Sequence, residues 1–357
     1  MTLRVALIGG PMYDGLYEIL ADHDVEIVVQ APHPELNRAV AAMVASGERV
    51  DVISTHSKYA PSQSAWLHPL DDLLDVGALA PKAVELCRFR GTLFCAPRNV
   101  DVRVLWADPD VVVPATWEQL VDSDVVFGFP GRESGLFGTF FELVVSHGGA
   151  LFDGDLRPTM QTSECRAALV TLVTLAARAP NALTGWHYDE VDDALGSGTV
   201  ALAASWPGAT AMLRAARPGL EPHPYLAGPL GIRSYAGCHG WGIPQTCADQ
   251  GGAVALLEVL TSARANALEA ASGAVCAHVE VFASVTPLDA IDERRLEITR
   301  STIADGMITY PPLADFPVVE DAGWSGIQAA LRGEVSCDDA LVGLQATAES
   351  ALAGAGQ

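Results

Sequence analysis

The chain has 357 residues, and half of them are hydrophobic. This length exceeds that of a typical domain with a single core, so two domains of ordinary size are expected. Its 44 acidic and 21 basic residues give a net charge of -23, and such a surface is repelled by phosphate backbones and anionic lipid. The composition therefore argues against nucleic acid as a partner. The sequence also has no uninterrupted apolar run of about 18 residues that would span a bilayer.

The first hundred residues alternate between strand and helix patterns. Short runs rich in Val and Ile predict three strands, at 4–8, 26–30 and 49–55. A helix is predicted before the third strand from apolar residues on one face, which are Leu36, Val40, Met43 and Val44. This order is typical of a largely parallel sheet in an α/β fold. The next segment, 91–110, has two extended runs around Pro97 that are suited to crossing between lobes.

A second α/β pattern begins at residue 111. "PATWEQL" predicts a helix after Pro114, "VVFGFP" predicts a strand, and Ser163 is expected to cap a helix at 164–178. The following predicted elements are a buried strand at 198–208, a short strand at 240–244 ("GWGIP"), a helix at 249–262 and a last helix that begins near Ser336.

Motifs for cofactors, metals and catalysis are missing from the sequence. "ALIGGPMYDG" matches neither glycine-rich phosphate motif, so no cofactor is expected. The nine histidines include no i, i+4 pair, so no metal site is expected either. No G-x-S-x-G elbow occurs, and the adjacent Cys238 and His239 point to opposite faces of an extended segment. The sequence therefore gives no positive reason to propose catalysis.

Seven cysteines are scattered along the chain without a C-x-x-C or metal-finger spacing. An odd number leaves at least one thiol unpaired. This usage favours a reducing compartment or buried, inert thiols.

A series of motifs, in order, resembles one family. "VDVIST...WLHPLDDLL" is similar to its strand, pocket loop and L-x-P-L-D-D-L helix, and "GTLFCAPRNVDVRVLWAD" to its G-x-x-Y-G-x-P hairpin and L-x-Y-N run. "PATWEQL", "HGGALFDGDLRPTMQTSECRAAL", "ALGSGTVALAASWP" and "LRGEVSCDDAL" have counterparts there too. Over residues 3–352 the chain resembles family 1 of the extracellular solute-binding proteins, the maltose-binding-like components of bacterial ABC importers of sugars.

This resemblance implies a type II periplasmic-binding-protein-like fold, with two α/β lobes and a ligand cleft between them that closes about a hinge. Lobe 1 would comprise 1–107 and 241–297, and lobe 2 would comprise 108–240 and 298–357. The family consists of binding proteins rather than enzymes. The resemblance thus implies a monomer that captures a small-molecule ligand and presents it to an ABC permease.

Compartment and function class leave alternatives open. Family members carry an export signal, whereas this sequence begins directly at the first strand. We expect that a leader was trimmed and that the protein works outside the cytoplasm. The alternatives are a cytoplasmic ligand sensor, or an enzyme on the same scaffold, which would need a titratable pair such as His239 beside a carboxylate.

Two tryptophans are candidates for stacking on a sugar, because a pyranose presents an apolar C–H face and a rim of hydroxyls. Trp206 matches the family's pocket tryptophan before a proline. Trp241, between two glycines, matches the strand that re-enters the first lobe, where its indole would lie flat against a ligand at the mouth of the cleft. The alternative for both is a plain core role.

Further ligand-binding candidates lie at predicted strand ends, where open α/β sheets bind ligands, and near the predicted lobe crossing. They are Tyr13, Asp14, His56, Ser57, Tyr59, Arg98, Asn99, Asp101, Arg132, Glu133, Ser134, His239 and Trp324. The alternative for these positions is a role as turn residues or in surface ion pairs. Arg98 and Arg132 are suited to a carboxylate or vicinal hydroxyls, so the sequence leaves a sugar, a polyol or an organic acid open as the ligand.

Overall fold

The computed structural model describes residues 1–354, apart from the side chains at positions 11, 12, 33 and 34. Its strands are β1 Leu3–Ile8, β2 Val25–Ala31, β3 Val52–His56, β4 Arg88–Phe89, β5 Thr92–Leu93, β6 Ala96–Pro97, β7 Val104–Ala107, β8 Phe127–Gly128, β9 Leu202–Ser205, β10 Glu221–His223, β11 Ala227–Gly228, β12 Gly231–Ile232, β13 Ser234–Tyr235, β14 His239–Gly242 and β15 Met307–Ile308. Its α-helices are α1 Pro11–Tyr17, α2 His33–Ala45, α3 Ala60–Gln63, α4 Pro81–Leu86, α5 Trp117–Asp122, α6 Glu133–Ser146, α7 Ser163–Ala176, α8 Tyr188–Gly196, α9 Thr210–Ala216, α10 Gln250–Leu260, α11 Ala263–Ala271, α12 Val279–Ser284, α13 Ala290–Ser301, α14 Phe316–Leu331 and α15 Cys337–Gly354. Within residues 1–354, none of these helices has both the length and the apolar character that crossing a membrane requires.

The chain forms two compact units. Unit 1 comprises Met1–Asp101 and Gly237–Thr286, and unit 2 comprises Val102–Ala236 and the chain from Pro287 onward. Residues 102–107, which the sequence assigned to lobe 1, belong to unit 2 because β7 pairs with β9 and β10. Residues 237–240 belong to unit 1 because β14 pairs with β3, and residues 287–297 belong to unit 2, where α13 packs on β10.

Unit 1 is built on a five-stranded sheet in the order β2-β1-β3-β14-β6. The parallel arrangement expected for the first three strands is confirmed, since β1 pairs in parallel with both β2 and β3. Strand β3 is buried along its whole length, as a central parallel strand should be. By contrast, β14 runs antiparallel to β3 and to β6, so the complete sheet is mixed.

Unit 2 has a four-stranded sheet in the order β10-β7-β9-β8 and an aromatic core beside it. Helix α6 is buried on nearly all sides and is mostly apolar, which is the pattern of a helix inside a core. Phe137 and Phe140 of this helix are fully buried and lie edge to face, 6.4 Å apart.

One predicted helix cap is wrong. The helix expected at 164–178 begins one residue earlier, and Thr162 rather than Ser163 is its cap, because the Thr162 hydroxyl accepts the backbone N–H of Cys165. Ser163 instead hydrogen-bonds the carboxylate of Glu164. Two neighbouring hydroxyl residues are both suitable caps, and sequence alone does not choose between them.

The glycines around Trp241 have a packing reason. A Cβ atom at Gly240 would lie 2.9 Å from the Ala96 carbonyl oxygen and 3.0 Å from the Cβ of Cys95. A Cβ atom at Gly242 would lie 3.1 Å from a Leu67 methyl group. The glycines thus let β14 approach its neighbours while the indole fills the core.

We expect Gly240→Ala to destabilise the protein by about 1–3 kcal/mol, because the added methyl group has backbone as its nearest neighbour and overpacks the core. Urea denaturation measures this as a lower midpoint. Gly154→Ala is the matched control, since a Cβ atom there meets open space. Equal midpoints for the two variants would contradict the packing explanation.

Candidate functional site

Unit 1 contains an arginine buried among aromatic rings. Arg98 follows β6, is 2% exposed, and has its guanidinium carbon 4.8 Å from the ring centroid of Tyr13 and 5.7 Å from that of Trp241. Its Nε and Nη2 donate to the two carboxylate oxygens of Glu269 on α11, at 2.5 and 2.9 Å. Burial opposes the charge, but the Glu269 carboxylate outweighs burial and raises the pKa of Arg98 above its usual value. A fixed bidentate ion pair therefore supports this cluster.

Two histidines and a tyrosine lie next to that ion pair. The ring of His239 lies 5.2 Å from that of His56 at the end of β3 and 5.5 Å from that of Tyr13. Burial, with a smaller contribution from the Lys58 charge, lowers the pKa of His56 to about 3. His56 is consequently neutral at physiological pH, and its Nδ1 accepts the backbone N–H of Lys58. Because Nδ1 accepts, the proton of this neutral imidazole lies on Nε2, which is a hydrogen-bond donor.

Trp241 lies deeper than the sequence suggested. Its ring is fully buried, contacts the Tyr17 ring edge to face at 6.4 Å, and has the Arg98 guanidinium over it. Within the described residues its indole N–H has no hydrogen-bond acceptor. The expected indole at the mouth of a cleft is therefore a core side chain in this structure, and its contact with a ligand stays a prediction.

The remaining candidates in unit 1 have mainly structural contacts. Asn99 is buried, its amide donates to Asp101 at 2.8 Å, and its oxygen accepts the His239 N–H at 2.9 Å, which fixes this segment beside β14. Tyr59 is buried under the Lys58 ammonium. Ser57 is half-buried, and Asp14 is exposed on α1.

Unit 2 contains a second buried arginine, which the sequence analysis missed. Arg103, just before β7, lies with its guanidinium carbon 5.4 Å from the ring centroid of Trp206 and 5.6 Å from that of Tyr188. Its Nη1 donates to Thr139 at 3.0 Å, and its Nη2 lies 3.4 Å from a carboxylate oxygen of Glu142. Burial raises the pKa of Glu142, and the nearby charge of Arg103 reduces this rise without cancelling it. Each unit thus has an arginine paired with a buried glutamate and flanked by aromatic rings.

The aromatic rings around Arg103 form a continuous set. Trp206 is half-buried and meets Tyr188 and Tyr235 edge to face, at 5.6 and 6.3 Å, and Tyr310 lies 4.3 Å from Tyr235. Sequence reasoning found only Trp206 of these, because the tyrosines come from distant segments. We call Arg103, Tyr188, Trp206, Tyr235 and Tyr310 the unit 2 cluster.

Some buried polar atoms of the unit 2 cluster lack a hydrogen bond within the described residues. Within residues 1–354, Arg103 Nε and Nη2 and the Tyr310 hydroxyl make no hydrogen bond of good geometry. A Cβ atom built at Gly138 would lie 3.3 Å from the Tyr310 hydroxyl and 3.5 Å from Arg103 Nη2. Gly138 therefore leaves space beside these atoms. Buried polar groups without partners are unusual in folded proteins and mark places where a ligand or water supplies the missing bond.

The three candidates at the start of α6 lie near that cluster. Arg132 makes ion pairs with Glu133 at 2.6 Å and Glu190 at 3.2 Å, all three partly exposed. Ser134 lies 3.4 Å from His187 Nε2, and the His187 ring contacts Tyr188 at 4.5 Å. Ser134 is thus connected to the cluster through His187, whereas Arg132 is occupied by carboxylates.

Trp324 packs elsewhere in unit 2. It lies half-buried on α14, against the apolar core of unit 2. Its predicted ligand contact stays a prediction.

In residues 1–354, no group of three or more His, Cys, Asp or Glu side chains has the geometry to hold a metal ion.

Comparison with known proteins decides the family. Residues 10–267 match the model of the bacterial extracellular solute-binding protein family. The chain belongs to this family. Its members are binding proteins rather than enzymes.

Solved structures share the fold of this solute-binding protein over nearly its whole length. T. maritima MalE3, solved with maltose bound, is 19% identical, with a TM-score of 0.85 over 98% of this chain and 99% of that chain. The GacH receptor of Streptomyces glaucescens is 17% identical, with a TM-score of 0.85 over 99% of each chain. A Listeria monocytogenes ABC substrate-binding protein, solved with cycloalternan, is 16% identical, with a TM-score of 0.83 over 99% of each chain. The two-lobed fold expected from the sequence is confirmed.

We expect Glu269→Gln to destabilise the protein by roughly 3–5 kcal/mol, because it leaves the charge of Arg98 buried without its counter-charge. The measurement is the unfolding midpoint in urea. Asp338→Asn is the control, since its pair with Arg166 is exposed on both sides and should contribute about 1 kcal/mol or less. A loss at Glu269 no larger than that of the control would mean that the pair does not support the cluster.

His56 should make stability depend on pH. Its folded pKa lies below the ordinary value of about 6.5, so the unfolded chain binds a proton first, and stability is lost as the pH falls from about 6.5 toward about 3. His56→Asn keeps an acceptor for Lys58 but removes the titration. Between pH 7 and pH 5 we expect the wild type to lose about 2 kcal/mol more than this variant. An NMR titration of His56 with a midpoint near 6.5 in the folded protein would contradict the burial argument.

Proposed function

We propose that this solute-binding protein captures a neutral carbohydrate. The observation that carries the proposal is the unit 2 cluster, in which the half-buried indole of Trp206 lies beside Arg103, and two donors of the cluster, Arg103 Nε and the Tyr310 hydroxyl, make no hydrogen bond within the described residues. A pyranose presents an apolar face suited to the indole and hydroxyls suited to the donors. The relatives solved with maltose, cycloalternan and tagatose support the same ligand class.

Charge favours a neutral sugar over a sugar acid or another organic acid. The guanidinium of Arg98 is held by Glu269 and that of Arg103 lies beside Glu142, so each cation is compensated by a buried carboxylate of its own unit. An anionic ligand would have to compete with these carboxylates and approach a protein of net charge -23. Ligand hydroxyl groups can accept from Arg98 Nη1 and Arg103 Nε, which make no hydrogen bond within the described residues and are not the atoms that pair with the glutamates.

The family assignment supports a transport role outside the cytoplasm. We propose that the loaded protein, as a monomer, delivers its sugar to the permease of an ABC importer. A cytoplasmic sensor or an enzyme on the same fold are the alternatives. Chromatography of a bound sugar after prolonged incubation tests the enzyme alternative directly, since turnover would yield a product.

Isothermal titration calorimetry with neutral mono- and oligosaccharides, including maltose and maltotriose, tests the ligand class against glucuronic and galacturonic acids. We expect measurable binding of a neutral sugar and weaker or no binding of the matching acid. Trp206→Ala should weaken binding at least about tenfold, equivalent to about 1.4 kcal/mol, because the stacking face is lost, and Trp206→Phe should recover part of it.

Trp66→Phe is the matched control, because Trp66 is also half-buried but lies in a turn of unit 1. Tighter binding of the acids, or equal affinities of Trp206→Ala and the wild type, would overturn the proposal. Circular dichroism and melting temperatures of each variant separate lost binding from lost folding.

A further inference from the structure

Three cysteine side chains meet inside unit 1. Cys87 directly follows α4 as its C-cap residue, Cys95 lies between β5 and β6, and Cys238 directly precedes β14. All three are fully buried. The sulfur atoms of Cys87 and Cys238 are 3.6 Å apart, and Cys95 is the second thiol that raises the pKa of Cys87. The sequence predicted only scattered cysteines, because these three are brought together from segments as far as 151 positions apart.

We propose that Cys87 and Cys238 form a disulfide bond when the protein folds in an oxidising compartment. A disulfide needs sulfur atoms about 2.05 Å apart, so the two sulfurs have to close by about 1.5 Å, which requires side-chain rotation and a small backbone adjustment. The fold already holds the sulfurs in van der Waals contact. The family is extracellular, and disulfides form and persist in such surroundings.

The choice of partner follows from the contacts of the cluster. The Cys238 sulfur lies 3.9 Å from the Ala83 carbonyl oxygen of α4, the helix that Cys87 caps at its C-terminus. Cys95 packs against β14, where its Cβ lies 3.0 Å from the position that a Cβ atom at Gly240 would take. Pairing Cys87 with Cys238 leaves Cys95 as a buried thiol packed against Gly240.

The bond has to form before the cluster is buried. Hydrogen bonds from Cys238 and Cys95, followed by burial, raise the pKa of the Cys87 thiol well above its usual range. Only the thiolate attacks a disulfide, so the folded, reduced cluster reacts slowly. Oxidation therefore belongs to the folding step, when these residues are still open to solvent.

The reaction needs an external disulfide as oxidant, such as oxidised glutathione or the active-site disulfide of an oxidoreductase. One cysteine thiolate attacks that disulfide and releases one reduced thiol of the oxidant. The second cysteine thiolate then attacks the mixed disulfide and releases the other. Two protein thiols are oxidised, one external disulfide is reduced to two thiols, and the protons pass from the cysteines to the released thiolates.

A bond between Cys87 and Cys238 would fix the segment with which the chain returns to unit 1. The chain returns to unit 1 at Gly237, and Cys238 is the next residue, followed by His239. The backbone carbonyl of Cys238 accepts the backbone N–H of Ser57 at 2.8 Å. A bond to Cys87 ties this returning segment to α4. Since the linked residues are far apart in sequence, the bond restricts the unfolded chain strongly.

The test is to refold the full chain from urea in a glutathione redox buffer and in excess reductant, and then to compare the two samples. We expect five free thiols of the seven after oxidative refolding, a peptide that links residues 87 and 238 in a non-reducing digest, and a melting temperature several degrees higher than that of the reduced sample. Seven free thiols after oxidative refolding, or a link from Cys87 to Cys95, would overturn the proposal.

Matched variants refine the result. Cys238→Ser should lose both the linked peptide and the stabilisation by oxidation, whereas Cys276→Ser, at another buried cysteine of unit 1, should keep both. Cys95→Ser should also keep the link. If Cys238→Ser fails to fold, the digest of the wild type still decides the proposal. Linkage in Cys238→Ser at the wild-type level would show that other cysteines form it, which contradicts the pairing.

Discussion

The pairing of a buried guanidinium with a buried carboxylate is the constraint on which both candidate clusters depend. An isolated charge is very costly inside a protein, and each arginine is tolerated because a glutamate of the same unit lies beside it. Glu269 comes from α11 and Glu142 from the buried helix α6. Each pair fixes the position of a planar cation, and the aromatic rings then pack over its faces.

One short segment of the chain supplies both arginines. Arg98 ends the part of the chain that pairs with β14, and Arg103 begins the part that leads into β7. The boundary of the two units falls between them, after Asp101. The backbone of this segment is anchored in both units, since the Arg98 N–H donates to the His239 carbonyl and the Arg103 N–H donates to Ser234. Substitutions in this segment are therefore expected to affect either cluster through position as well as through charge.

The succession of strands and helices could be predicted from sequence because the patterns are local. Central strands such as β3 are continuous apolar runs, and a helix such as α10 carries its buried residues on one face. The clusters could be predicted only in part. Trp206 and His56 were found from their neighbours in sequence, whereas Glu269 and Tyr310 reach their partners through long-range packing that leaves no local pattern. The burial of Trp241 also depends on Ala96 of β6, whose approach to Gly240 only the fold reveals.

Local and long-range electrostatics favour the same class of ligand. An excess of 23 acidic residues repels an anion at a distance, and the glutamate beside each buried arginine offsets the local attraction that an anion would find. The donors that remain on Arg103 are directional hydrogen-bonding groups rather than a free positive charge. Such groups distinguish ligands by the geometry of their acceptors. Because the missing partners of buried donors are costly, a sugar that places a hydroxyl at these atoms should gain more than one that does not, and we expect selectivity among neutral sugars to depend on the same ion pairs that disfavour acids.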